Sequence, residues 1–306
     1  RSTVVDIKSE DPPFPGSPVV PQTIEGDAVI QFRCHKGIDC FNACCRNIDI
    51  SLTPYDVIRL KKRLGMSSGE FLVKYTYPYE MEKGGIAGIK LQPIEGGTAC
   101  QFMTEEGCSV YEDRPTACRY YPVALLSLRR QDEYTDRTSY ALVKEAHCHG
   151  HFEDRKLTVD EYRKEQGLEQ YDELGRGWRQ LILKKKSSGP TVGKPSQRSL
   201  QLFFMACYDV DQFREFIKSP SFEDVYELDQ ATRDKLEDDV ELMLFGQRFL
   251  AQVMFGDTFL TVRPDAYERR AAKKAEREAR LDEIAEKIGP LPTTPPDQDD
   301  PYRSGD

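Results

Sequence analysis

The sequence predicts an α-rich α+β fold, in which a loop-dominated, cysteine-rich core is followed by a helical C-terminal extension. Three observations predict it. Eight of the nine cysteines lie between Cys34 and Cys148, and the second half of the 306 residues holds only Cys207. Strand-like patterns are confined to two short stretches, Ile86 to Ile94 between glycine pairs and Ser139 to Lys144. Helix-period patterns with capping residues dominate from Thr158 onward.

Taken in order, residues 1–27 contain five prolines and no helical periodicity, and read as an extended N-terminal arm. The cysteine-rich region is expected over 28–155. Within it, Thr53-Pro54 opens a helix carrying Val57, Ile58, Leu60 and Leu64, with Gly65 as its stop. Ser67 and Glu70 form a capping box for a short helix with Phe71, Leu72 and Tyr75 on its apolar face. Ile86 to Ile94 alternates apolar and polar residues between glycine pairs and predicts a strand in a small hairpin. A second strand is expected over Ser139 to Lys144. From 156 to 288 the chain reads as helical. Thr158 and Glu161 make a further capping box, and a charged amphipathic segment runs to Lys186. Ser187 to Ser196 reads as a linker, and helices are expected at about 197–208, 210–218 and 229–255. The stretch from Val240 to Phe255 is interrupted by Glu241, Gln247, Arg248 and Gln252, so it predicts a buried helix and not a membrane span. A last helix over about 264–288, rich in Arg, Lys, Glu and Ala, offers a solvated face or a partner surface. Residues 289–306, rich in Pro and Asp, are expected to be disordered.

The net charge of −9 and pI near 5.2 leave no global basic footprint for nucleic acid, and the same sign disfavours anionic membranes. No secretory leader is visible and no apolar run reaches spanning length, so a cytoplasmic setting is expected. Disulfide frameworks belong mostly to short secreted chains, and this one is long enough to bury a core. The vicinal pair Cys44-Cys45 and the nearby histidines therefore favour reduced, metal-bound thiolates over disulfides.

The spacing of the cysteines carries the chemistry. Cys34, Cys40, Cys44 and Cys45 form one group, and Cys100, Cys108 and Cys118 a second; Cys148 sits in H-C-H-G-H with three of the four histidines. Thiolate is the soft ligand preferred by zinc and by iron–sulfur clusters. The short gaps are not the C-x2-C pairs of a zinc ribbon, and adjacent side chains such as Cys44 and Cys45 diverge. They serve two irons of a cluster, two sites, or one ligand and one spare more readily than one small ion. The expected cofactor is an iron–sulfur cluster, of 4Fe-4S type, or zinc. Eight thiols allow two four-thiolate sites or one cluster with thiols to spare. His35, His147, His149 and His151 widen the donor set, although a surface or turn role is the commoner fate of any one of them. Cys207, beside Phe203, Phe204 and Met205, reads as core packing. Arg114 and Arg119 flank Cys118, either stabilising thiolate charge or pairing with Glu112 and Asp113.

The ordered set Cys34, Cys40, Cys44-Cys45, Cys100, Cys108, then Arg114-Pro115-x-x-Cys118-Arg119-x-Tyr121-Pro122, resembles the YkgJ-type cysteine-cluster family over about residues 30–150. Its members are described as zinc- or iron-chelating domains and are related to flagellin lysine-N-methylases. The resemblance implies metal ligation by Cys34, Cys40, Cys44, Cys45, Cys100, Cys108 and Cys118 in a bacterial cytoplasm. Cys148 joins them on the ligand count.

The expected function is electron transfer or redox maturation on a cysteine-ligated iron–sulfur cluster. Alternatives are a zinc-stabilised protein-interaction module with a partner on the C-terminal helices, a metal-trafficking or storage protein, and a protein lysine N-methylase-like enzyme. No catalytic motif supports the enzyme reading. There is no glycine-rich turn between a strand and a helix, and Asn47 stands where the C-x3-C-x2-C of radical chemistry requires cysteine.

Overall fold

The computed structural model describes residues 19–81, 85–128, 137–187 and 195–288. Two short strands, β1 (Val19–Ile24) and β2 (Val29–Gln31), lead into an irregular loop and then α1 (Pro54–Leu64). Helix α1 begins and ends where the local chemistry requires. Asp56 N–H donates to Thr53 Oγ1 (3.1 Å), Thr53 N–H donates to Asp56 Oδ2 (2.9 Å), and Gly65 closes the helix at φ 64°. The Ser67–Glu70 box likewise opens α2 (Ser68–Tyr75), which runs directly into β3 (Thr76–Glu80). β3 pairs antiparallel with β4 (Ala87–Leu91), the hairpin expected around Ile86–Ile94.

A two-residue pairing of β5 (Met103–Thr104) with β6 (Gly107–Cys108) follows; its turn needs glycine at Gly107, where φ is 120°. Next come α3 (Thr116–Tyr120), β7 (Val123–Leu128) and β8 (Arg137–Val143). β8 is the strand expected at 139–144, whereas β7 is an addition. Its segment V-A-L-L-S-L is apolar except for Ser127 and has no alternation by which periodicity would assign it. The largest sheet has the antiparallel order β1-β8-β7, so residues 19–24 of the expected arm are an edge strand.

β9 (Lys156–Thr158) pairs with β2 and leads into α4 (Val159–Glu165), capped by Thr158 and Glu161 as expected. The amphipathic segment to Lys186 is two helices, because Gly167 at φ 66° separates α4 from α5 (Leu168–Ser187). α6 (Gln197–Tyr208) and α7 (Val210–Ile217) match expectation, followed by α8 (Pro220–Glu223). The single helix expected over 229–255 divides into α9 (Gln230–Lys235) and α10 (Asp239–Phe255). The cause is Asp238, whose carboxylate accepts from the N–H groups of Val240 and Glu241 and so starts a new helix. α11 (Ala266–Ile288) is last. The expected linker centre (188–194) and the expected disordered tail (289–306) lie outside the described residues.

Eleven α-helices and nine short strands among the described residues make this an α-rich α+β protein, as the sequence predicts. The chain divides into a larger unit (1–218 and 229–260) and a smaller one (219–228 and 261–306). The core of the larger unit is aromatic: α10 packs on α5, α6 and α7 through Phe203, Phe213, Leu242 and Phe249. α1 also packs against α5 and α10, which joins the cysteine-bearing segment to this helical core. Lys61, nearly buried on α1, bridges Asp211 and Asp239 at 2.9 Å each. In the smaller unit Asp224 pairs with Arg269 and Lys273 of α11. No helix among the described residues is long and apolar enough to cross a membrane.

Candidate metal centre

All nine cysteines are free thiols, and the clustered eight come from four parts of the chain, several of them near enough to act on one another's charge. The first is the loop 33–49, which buries only Ile38 and has no regular structure beyond a 3-10 turn over Ala43–Cys45. Asn42 enters that turn in the left-handed conformation (φ 64°), which asparagine tolerates better than most residues. Its side-chain amide donates to Thr104 O (3.1 Å), tying the turn to the β5–β6 hairpin. Cys44 and Cys45 then have their sulfurs 3.9 Å apart.

The second part is 98–108. Ile48 N–H donates to Thr98 O (3.0 Å), Thr98 Oγ1 to Arg46 O (2.8 Å), and Cys100 N–H to Cys45 O (2.8 Å). The two cysteine-bearing stretches are thus zipped together. Cys108 lies on β6, paired across the hairpin with Met103.

Cys118, the third contribution, sits on α3. The start of that helix is held by Asp56, a fully buried carboxylate on α1. Asp56 Oδ1 accepts from Thr116 N–H (2.8 Å) and Thr116 Oγ1 (2.7 Å). Burial raises the Asp56 pKa, against the bonds from Thr53 and Thr116 that favour the carboxylate. The sequence marks Asp56 only as the third residue of α1; its second task, placing the helix of Cys118, is not legible there.

The arginines around Cys118 take different roles. Arg119 donates to the carbonyls of Arg114, Glu112 and Gln166 and lies 4.2 Å over the Tyr171 ring, so it is a structural clamp. Arg114 donates to Tyr111 O and Gln166 Oε1; burial raises the Cys108 pKa, and the Val110 backbone bond and the Arg114 charge oppose that rise. The expected acid partner Asp113 is taken by Arg59 at 2.8 Å, a residue the sequence does not single out.

The fourth part is the H-C-H-G-H turn. Gly150 donates no side chain here, and any Cβ would fall 2.6 Å from Phe32 and 2.9 Å from Arg33 O, so glycine permits the close approach. Arg33 N–H donates to Gly150 O (3.0 Å), which sets Cys34 beside Cys148. His149 N–H donates to Cys40 Sγ (3.3 Å), and His149 Nδ1 lies 2.7 Å from Asp39 Oδ1. The ligand atoms of Asp39, Cys40 and His149 all fall within 4.8 Å of one another. The other histidines are engaged elsewhere. His35 meets Glu153 (3.1 Å), His147 meets Glu145 (3.5 Å), and His151 bonds Val143 O while packing on Phe32. Cys207 is buried on α6, as expected for a packing residue.

The thiols feel one another. Cys34 is pushed up to about 11, first by burial and then by Cys44, Cys40 and Cys148. Cys118 is raised by burial and then by Cys100 and Cys108, with Asp56 and Cys44 adding to it. Cys45 is raised by its bond to Cys44, by burial, and by Cys44, Cys118 and Cys100. Cys44, the recipient of that bond, falls to about 7. Cys148 is raised by burial, with Cys40 and Cys44 also acting against ionisation and the Tyr121 hydroxyl favouring it. Partly buried thiols that repel one another's charge form a donor set that a bound cation would stabilise as thiolates. The chemistry fits a soft metal, with sulfur donors in number.

Residues 33–149 match the family model CxxCxxCC, described as a "putative zinc- or iron-chelating domain". No curated protein and no solved structure matches the chain. The matched span begins one residue before Cys34 and ends one after Cys148, so it takes in all eight clustered cysteines. Over residues 33–149 the chain therefore matches the zinc- or iron-chelating domain of the YkgJ-type cysteine-cluster family.

Proposed function

We propose that the chelating domain holds an iron–sulfur cluster on cysteine thiolates, and that the protein serves electron transfer or redox maturation in the cytoplasm. The observation that carries this reading is the set of free thiols from four chain segments that act on one another's charge, with Cys100 and Cys148 buried and Cys34 and Cys44 exposed. A bound cluster would supply one-electron chemistry. The chain's own residues do the rest. Cys44 reaches solvent, giving a short path to a redox partner. Asp56 holds α3 and with it Cys118. Arg114 places positive charge beside Cys108.

Zinc is the second reading, favoured by one feature: Asp39 and His149 beside Cys40 add carboxylate and imidazole donors that suit zinc better than a cluster. In that case the domain is a zinc-stabilised interaction module. The exposed face of α11, with Leu281 and Ile284 uncovered, supports a partner surface there. A lysine N-methylase-like activity rests on the family resemblance alone.

Anaerobic purification with a visible spectrum and analysis for iron, sulfide and zinc separates these readings. Absorbance near about 400 nm with iron and acid-labile sulfide is expected. Colourless protein carrying zinc would sink the redox reading in favour of the interaction module.

A further inference from the structure

Of the four histidines, one stands where a carboxylate and a thiol meet it. His149 Nδ1 lies 2.7 Å from Asp39 Oδ1, and the His149 backbone N–H donates to Cys40 Sγ at 3.3 Å. One ligand atom from each of Asp39, Cys40 and His149 falls within 4.8 Å of the other two. The remaining rings are placed differently. His35 has Glu153 Oε2 at 3.1 Å on one nitrogen and the Gly37 N–H at 3.1 Å on the other. His151 is turned inward onto Phe32 and Val143 O. His147 meets Glu145 at 3.5 Å, and that pair belongs to no three-donor group among the described residues.

The backbone presents the three donors together. Phe41 N–H donates to Ile38 O (3.0 Å) and Ala43 N–H to Cys40 O (2.9 Å), so Asp39 and Cys40 sit in consecutive turns beside the buried Ile38. Opposite them, Gly150 packs on Phe32 and its carbonyl accepts from Arg33 N–H, which fixes the turn that starts at His149. Around a tetrahedral zinc, with metal–ligand distances of about 2.0 Å to oxygen and nitrogen and about 2.3 Å to sulfur, ligand atoms stand about 3.3–3.6 Å apart. Asp39 and His149 reach that spacing by opening their hydrogen bond slightly. Both side chains lie at the surface, 73% and 45% exposed, with room to do so.

We propose that Asp39, Cys40 and His149 form a solvent-open site for one zinc ion, with water in the fourth position. One oxygen, one sulfur and one imidazole nitrogen make a donor set that suits zinc better than a cluster built on thiolates. The inference rests on the chelating reading above in one respect, that Cys40 is a metal ligand. It holds whatever the other seven clustered cysteines bind. Exposed ligands and an open position make this ion exchangeable, and let it accept a further ligand from solvent.

The test adds zinc(II) to the full chain, isolated anaerobically, in competition with a chromogenic chelator, and counts bound zinc, iron and sulfide. His149→Ala and Asp39→Ala should each hold one zinc fewer than the parent chain. His147→Ala removes an imidazole of similar exposure (44%) two residues away, and should hold as many as the parent. Iodoacetamide should spare Cys40 in the zinc-loaded parent and label it in His149→Ala. Equal zinc in the parent and in the His149 and Asp39 variants would overturn the site. So would the same loss in His147→Ala, or protection of Cys40 that survives removal of His149. The iron–sulfur reading fails separately, by absence of iron and sulfide in the parent as isolated, and that result leaves the one-zinc difference standing.

Discussion

The loop 33–49 and helix α10 belong to the same unit and are held in place by opposite means. Of the seventeen positions in the loop, only Ile38 is buried, and its order comes from hydrogen bonds to 98–100, to Thr104 and to Gly150. Helix α10 buries Leu242, Met243, Phe245, Phe249 and Leu250, with rings contributed by α7. Fully burying one such side chain is worth about 1.5–3 kcal/mol. The helix can rely on hydrocarbon. The loop cannot, and its thiols are positioned for a metal to do what a core does elsewhere.

The sharpest way to break this comparison is to remove the metal. Structural zinc sites contribute about 10 kcal/mol or more of apparent binding free energy, and that energy is folding energy. Chelation should therefore collapse amide-exchange protection over 34–49 and 98–110 while α10 keeps its own. Equal loss in both regions would mean that the loop and the helices form one cooperative block. The converse perturbation is Phe213→Ala, which empties a fully buried site between α7 and α10. A cost of about 3–5 kcal/mol is expected, read as a lower urea midpoint. The metal content of the folded fraction should not change.

A smaller effect tests the junction between the two regions. Asp56→Ala leaves Thr53 N–H, Thr116 N–H and the Thr116 hydroxyl without their acceptor. A loss of about 1–3 kcal/mol is expected, with alkylation of Cys118 accelerated more than that of Cys34. Uniform acceleration at both cysteines would show that Asp56 acts on global stability and not on α3.

The smallest effect concerns the smaller unit, which uses neither hydrocarbon alone nor thiols. The Lys273 hydrogen bond, followed by Arg269, holds the Asp224 carboxyl below its ordinary value. A depressed acid contributes stability above its unfolded value and loses it as pH falls through the folded one. Protection over 266–275 should be intact at neutral pH and fade only in strong acid. Asp224→Asn should flatten that acid dependence, and an unchanged profile in the variant would assign the acid loss to other groups.

Legibility in the sequence followed the range of the interaction. The helix start at Thr53-Pro54, the capping boxes at Ser67 and Thr158 and the stop at Gly65 are read correctly because each depends on residues close in the chain. The division of 229–255 was less visible, since Asp238 competes with an apolar pattern that continues beyond it. β7 is not legible because an apolar run without alternation has no period. Arg119 reads as a partner for thiolate or acid, yet the carbonyls of Glu112, Arg114 and the distant Gln166 claim it. Gly150 carried no signal, because its neighbour Phe32 lies more than a hundred residues away in the chain.

The sequence by itself determined the α-rich class, the caps of the helices and the donor chemistry, because propensity, capping and ligand softness belong to residues and their near neighbours. Tertiary structure alone decided which thiols are neighbours, that His149 and not His35 stands by a cysteine, and that Asp56 supports the helix of Cys118. These depend on where the chain returns after long excursions. That is set by the closing of backbone hydrogen bonds and by the space a missing side chain leaves, as at Gly150.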